Sequence, residues 1–138
     1  EPGTPRGFER ILLARDWLIQ SGAHIAAPCP HEKQCPLAGT ERWCHFSERL
    51  SRSALHKNIK GASLGYEDEK YSYLIATKSS QDSSDARLVG HPRKHSGHLT
   101  VDVCLPEGDV KQRTISRRDG PLYKAAQKAS WGDTLPLN

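Results

Sequence analysis

The sequence contains no methionine, and its 138 residues open at Glu1 with a helical pattern ahead of any strand-like run. A beginning of that kind reads as the middle of a longer polypeptide. No apolar stretch approaches the roughly 20 residues that a bilayer span needs, so a membrane is not an expected partner. No charged-then-apolar leader precedes the first helix, which puts any targeting signal upstream of this chain. Internal repeats are absent, and so is any pair of cysteines two to four residues apart, the usual way a tight turn offers two ligands to a structural zinc ion.

What is present bounds the fold. A chain of this length buries one core of moderate size, as one domain or one piece of a larger one. Twenty Lys and Arg against sixteen Asp and Glu give a formal charge of +4, which permits a polyanionic partner without requiring one. "GFERILLARDWLIQSG" sets Phe8, Ile11, Leu12, Leu18 and Ile19 at helical intervals and stops at Gly22. "AHIAAP" reads as a short buried strand cut off by Pro28. Helix, short strand and then a loop rich in chemistry is the order of a parallel α/β sheet with its site at the strand ends. "FSERLSRSALHKNIKG" resumes a helical pattern, and "YEDE" reads as a polar turn before a strand in "YSYLIATK". "SSQDSSD" is expected to be a mobile loop. "HLTVDVCLP" and "VKQRTISR" alternate like the arms of an antiparallel hairpin turned at "EGD", and "PLYKAAQKAS" is a last helix opened by Pro121.

Three of the four cysteines, Cys29, Cys35 and Cys44, fall inside sixteen positions with the spacing C-x5-C-x8-C, and Cys104 follows 60 residues later on an expected strand. Four is the number of a closed tetrathiolate site. Two disulfides are the plain alternative, but the chain lacks the loop-rich look of a small stapled scaffold. Between metals, zinc favours close pairs, whereas an iron–sulfur cluster is wider and takes ligands from separated points of an irregular loop. Spacing alone leaves both open. His31 and His45 beside the cysteines read as outer donors or solvated side chains. Cys44 and His45, being adjacent, point apart and make a poor nucleophile pair.

"EPGTPRGF", "APCPHEKQCPL", "WCHFSERLSRSALHK", "GASLGYEDEKYSYL" and "SRRDGPLYKAAQKASWGD" occur in order through nearly the whole chain. Together they resemble the methyltransferase-like proteins associated with the mitochondrial small ribosomal subunit, a family with bacterial relatives. The resemblance implies an α/β fold in which this chain is the second half of a Rossmann-like class I methyltransferase domain. Residues 1–78 would form that half, with a Cys-rich metal-binding loop at 28–44, and residues 79–138 a basic β-hairpin and helix extension supplying the fourth cysteine. It implies a 4Fe-4S cluster, with zinc as the alternative, on Cys29, Cys35, Cys44 and Cys104. It also implies S-adenosylmethionine in the full-length protein, met by the turn at Glu1, Gly3 and Thr4. Partners would be small-subunit rRNA and ribosomal proteins, and the location the mitochondrial matrix or, for a bacterial relative, the cytoplasm.

Two functions follow from the resemblance: a ribosome assembly and translation factor, or an active S-adenosylmethionine-dependent rRNA methyltransferase. "EPGTP" keeps an acceptor but lacks the second proline and the aromatic with which base-amino methyltransferases grip their substrate. The same letters suit a tight turn in which Thr4 caps a helix ahead of Pro5. No catalytic residue is assigned, and the assembly factor is the preferred expectation. RNA contact is expected from Arg49, Arg52 and Lys60, spaced with His56 as one stripe of a helix, and from Arg93, Lys94, Arg117 and Arg118, all converging on the cysteine site.

Overall fold

A cap and a proline start the first helix where the sequence supplies both. In a computed structural model, which describes residues 1–80 and 85–137, α1 (Pro5–Gln20) begins with Thr4 Oγ1 accepting a 3.1 Å hydrogen bond from the Gly7 N–H. It ends with the paired bonds of a left-handed glycine cap: Gly22 (φ 83°) donates to the Ile19 carbonyl and Ala23 to that of Leu18. The helix buries Gly7, Phe8 and, unusually, Arg15.

Among the described residues nine short strands follow in mixed order with two further α-helices and a 3-10 turn at Arg117–Asp119: β1 (His24–Ala27), β2 (Phe46–Ser51), α2 (Ala54–Lys60), β3 (Tyr66–Tyr71), β4 (Ile75–Thr77), β5 (Ala86–Leu88), β6 (Arg93–Lys94), β7 (His98–Cys104), β8 (Val110–Ser116), α3 (Pro121–Lys128) and β9 (Thr134–Leu135). β1 pairs with β4 and β2 with β3, while β6, β7, β5, β9 and β8 make a five-stranded sheet in which β7 is central. Every strand pairing among the described residues is antiparallel. The parallel sheet expected from the helix–strand–loop order is therefore not what these residues build: β1 finds its partner in β4, across the cysteine loop and the β2–β3 arm. The chain is a mixed α/β structure with small sheets.

β7 sorts its side chains by the period of two that a strand imposes. Leu99, Val101 and Val103 turn to one face, where they join Leu88, Ile115, Leu135 and Ala126 of α3 in a core that is almost fully buried. His98, Thr100, Asp102 and Cys104 turn to the other. The hairpin and last helix are thus as expected, and the strand that packs the core also aims Cys104 away from it.

Residues 46–61, expected as one helix, divide. Phe46–Ser51 is strand and only Ala54–Lys60 is helix, capped by Ser53 and closed by Gly61 in the left-handed region. The "YEDE" turn is itself strand, pairing Arg49 opposite Asp68 and Ser47 opposite Lys70. A segment about twenty residues away thus pairs with the whole of β2, with Arg49 opposite Asp68 but Glu48 opposite Glu69, and no local periodicity encodes that partner. The mobile loop expected at 79–85 has its centre, residues 81–84, outside the described residues.

The opening turn closes against this arm. Pro2 bridges to Tyr71, and the Gly3 N–H donates to the Lys70 carbonyl at 2.9 Å. A Cβ on Gly3 would lie 2.7 Å from the Lys70 carbonyl carbon and the Tyr71 nitrogen, and one on Gly7 would collide with the Pro2 carbonyl oxygen. Gly to Ala inside a helix ordinarily gains about 1 kcal/mol. Gly7→Ala is expected to reverse that sign and cost roughly 1–3 kcal/mol, as overpacking does; an unchanged or raised urea midpoint would contradict the close approach.

Candidate functional site

The four cysteines arrive at one place from three directions. Cys29 follows the end of β1, Cys35 opens a turn in which its carbonyl accepts from the Ala38 N–H, Cys44 precedes β2, and Cys104 is the last residue of β7. All four are free thiols and all four line a single cavity, together with Phe8, Leu37, Phe46, Tyr73, His31, Arg15 and Arg87. Among the described residues none of the wall side chains is acidic.

The loop between the cysteines is held mainly by its backbone. Arg15 Nη2 donates to the carbonyls of His31 (2.9 Å) and Lys33 (2.8 Å), and Arg87 donates from Nε to Pro28 (2.9 Å) and from Nη1 to Gly132 (2.7 Å). Glu32 Oε1 accepts from the Ile25 N–H, Lys33 Nζ donates to the Glu107 carbonyl beside the hairpin turn, and Ser72 Oγ donates to the Cys44 carbonyl. Trp43, next to Cys44, donates its indole N–H to the Gly3 carbonyl at 3.0 Å. The site is therefore braced from α1, β5, the hairpin turn and the opening turn.

Burial dominates its electrostatics. Cys29 is pushed up by desolvation, against which the Arg15 charge works; Cys44 is pushed up by burial and by its neighbouring thiols; Cys104 is pushed up to about 12, again by burial. Left to themselves these sulfurs stay protonated. His31, 8% exposed, is lowered by burial and then by Arg15, so it is a neutral imidazole, with Nε2 3.5 Å from the Cys104 sulfur. Its Nδ1 and the Arg15 Nε are buried with no hydrogen-bond partner. Four soft donors, two guanidiniums and two unpartnered polar atoms in one apolar pocket suit a metal–thiolate group. Among the described residues no three His, Cys, Asp or Glu side chains yet stand close enough together to hold one ion.

Glu1, Gly3 and Thr4 are engaged locally: Glu1 pairs with Arg10 at 2.9 Å, Gly3 packs on the β3 backbone and Thr4 caps α1. The basic residues fall into two groups. Arg49 makes a two-pronged bond to Asp68 (2.7 and 3.0 Å) and lies over the Tyr66 ring, while Arg52 (3.0 Å), His56 (3.3 Å) and Lys60 (3.1 Å) all converge on Glu67. That stripe is balanced by the acids of β3. Arg93 and Lys94 on β6 and Arg117 and Arg118 after β8 share one end of the five-stranded sheet, where the Arg117 N–H donates to the Gly97 carbonyl. Arg93 is paired with Asp102 at 2.9 Å, and the rings of His95 and His98 stack beside the group at 4.7 Å. From His98 to Cys104 is six residues of strand, roughly 20 Å at about 3.4 Å each. Lys94, Arg117 and Arg118 thus lie toward the end of β7 away from Cys104, while Arg93 reaches back along the strand to Asp102.

Sequence reasoning missed Arg15 and Arg87. For Arg15 a signal existed: it falls on the apolar stripe of α1, between Leu12 and Ile19, where a charge needs a reason. For Arg87 none did.

Residues 1–136 match the family described as mitochondrial small ribosomal subunit Rsm22. The human mitochondrial ribosome assembly protein METTL17 is 29% identical in an alignment of 150 positions that covers 99% of this chain and 32% of that protein. The Schizosaccharomyces pombe mitochondrial Rsm22-cox11 tandem protein 2 is 27% identical over 99% of the chain and 24% of its own length. The Saccharomyces cerevisiae mitochondrial ribosome assembly protein RSM22 is 23% identical over 79% of the chain and 28% of its own length. The chain thus spans about a quarter to a third of the length of these relatives.

Glu67 is the hub on which the arm turns. Its carboxyl is held below the ordinary value of 4.5, first by Arg52 and then by Lys60, and Asp68 is likewise lowered by Arg49. A depressed carboxylate stabilises above its unfolded pKa and loses that contribution as pH falls through the folded one. Amide exchange in residues 46–71 should therefore speed up as pH drops below about 4.5, after correction for intrinsic rates. Glu67→Gln should give fast exchange already at neutral pH; equal protection in the two proteins would remove the hub.

Proposed function

Because the chain belongs to the mitochondrial small ribosomal subunit Rsm22 family, we propose that it acts in the mitochondrion as part of a small-subunit assembly factor that binds rRNA through a fold cross-linked by a metal–thiolate group. The observation that carries this is the meeting of Cys29, Cys35, Cys44 and Cys104 in the wall of one cavity although Cys104 lies on a separate sheet. The named relatives METTL17 and RSM22 are ribosome assembly proteins, and the role comes to this chain by that kinship. In this reading the four sulfurs hold an iron–sulfur cluster, whose width suits ligands drawn from separated points better than a single zinc ion does. Bound there, the group supplies cross-linking: ligand free energy becomes folding free energy for a loop with few apolar side chains.

The Rossmann-like methyltransferase architecture and S-adenosylmethionine belong to the same proposal, as properties of the longer protein. Glu1, Gly3 and Thr4 shape the turn through which this chain joins it, and their engagement with Arg10, β3 and α1 favours binding over methyl transfer. Lys94, Arg117 and Arg118, with Arg93, form the rRNA contact. Arg49, Arg52 and Lys60 add less, because Glu67 and Asp68 already balance them.

Protein purified without oxygen should be brown, with iron and acid-labile sulfide in equal amounts. Cys104→Ser should lose that colour and expose residues 28–44 to protease, although the mutated residue is on another sheet. One stoichiometric zinc without sulfide would replace the cluster, and unchanged proteolysis would dissolve the four-cysteine site.

Reversing Lys94, Arg117 and Arg118 to Glu should weaken binding to small-subunit rRNA and flatten its salt dependence, by about 0.7 in log–log slope for each single-strand phosphate that the protein no longer neutralises. Arg49→Ala should leave the slope near that of the parent. The opposite ranking would move the rRNA surface to the arm.

A further inference from the structure

Arg15 is 2% exposed, sits in the wall of the cysteine cavity, and keeps one nitrogen, Nε, without a partner. The nearest carboxylate, Asp16, stands 3.7 Å from Nη1 but is 62% exposed and faces water. Arg87 is half-buried in the same wall, and its hydrogen bonds go to the carbonyls of Pro28 and Gly132. Among the described residues no acid lies within ion-pair reach of it. Two guanidiniums, which stay charged at any physiological pH, one buried and one half-buried, face a pocket with no carboxylate in its wall. Burying a charge without an opposite one is costly, and backbone carbonyls offset only part of that cost.

Protonated thiols and disulfides are neutral and would leave Arg87 without an opposite charge and Arg15 with only the exposed Asp16 at 3.7 Å. Four thiolates around one zinc ion, or around an oxidised 4Fe-4S core, carry a net charge of −2. We infer that Arg15 and Arg87 are the built-in counter-charge of this centre: they neutralise the dianionic metal–thiolate group while their hydrogen bonds shape the loop beside Cys29. This rests on the metal reading of the four cysteines and adds to it the residues that set the charge of the pocket. A guanidinium has no lone pair to offer a metal, so both would be positioning residues.

The test uses Arg15→Gln, Arg87→Gln and the matching Lys variants of protein purified without oxygen. Gln keeps hydrogen-bonding capacity and removes the charge; Lys keeps the charge and removes the planar fork. The Gln variants should surrender metal to a chelator more readily, with affinity down roughly ten- to a hundredfold, as for other groups just outside a ligand shell. Where the centre is an iron–sulfur cluster, its reduction potential should also move to more negative values, because a lost neighbouring cation disfavours the added electron. The Lys variants should lie close to the parent in both measures. Gln variants that match the parent in chelation and potential would overturn the inference, as would Lys variants no better than Gln, which would mark a purely structural role. A parent protein with disulfides and no metal would overturn the metal reading itself, and this inference with it.

Discussion

A guanidinium cut off from water organises the cysteine half of this molecule. Arg15 reaches from α1 into the loop and takes two of its carbonyls, those of His31 and Lys33, between Cys29 and Cys35. Without it, polar backbone in an apolar pocket would lack a donor, and the cost of such orphans is comparable to that of a lost hydrogen bond each. The helix position follows in turn from Thr4, Gly7 and the close packing of Gly3 on β3. Opening turn, helix and loop therefore stand or fall as a set.

The central strand joins that set to the rest. β7 spends one face on the aliphatic core under α3 and carries Cys104 on the other, so the stability of the hairpin and the placement of Cys104 draw on the same backbone bonds. The basic end of the sheet lies at the far end of this strand. One strand thus spans the distance between Cys104 and the cations at the end of the sheet.

Much of this was legible in the letters. Thr4–Pro5, the apolar positions of α1 and Gly22 mark a helix by cap, stripe and stop; the alternation of "HLTVDVCLP" marks a strand, and Pro121 a last helix. Phe46 and Leu50 misled because a spacing of four satisfies a helix and a two-residue period equally, and what makes the segment a strand is its pairing with Tyr66–Tyr71, a partner distant in sequence. The acids of that partner absorb Arg49, Arg52 and Lys60, so a basic stripe counted along the chain overstated the free charge. Cysteine spacing pointed to one set of four, but which charges surround them depends on Arg87, whose place opposite Cys104 only the β5–β7 register reveals.

That register also decides which face of the sheet Cys104 takes. A slip of one residue between β7 and its neighbours would turn Cys104 into the aliphatic layer and offer Val103 to the cavity, exchanging the fourth sulfur for two methyl groups. A chain whose strands have paired out of step therefore has three sulfurs in the pocket and a fourth in the oil, and only re-pairing of the strands brings the four back to one wall.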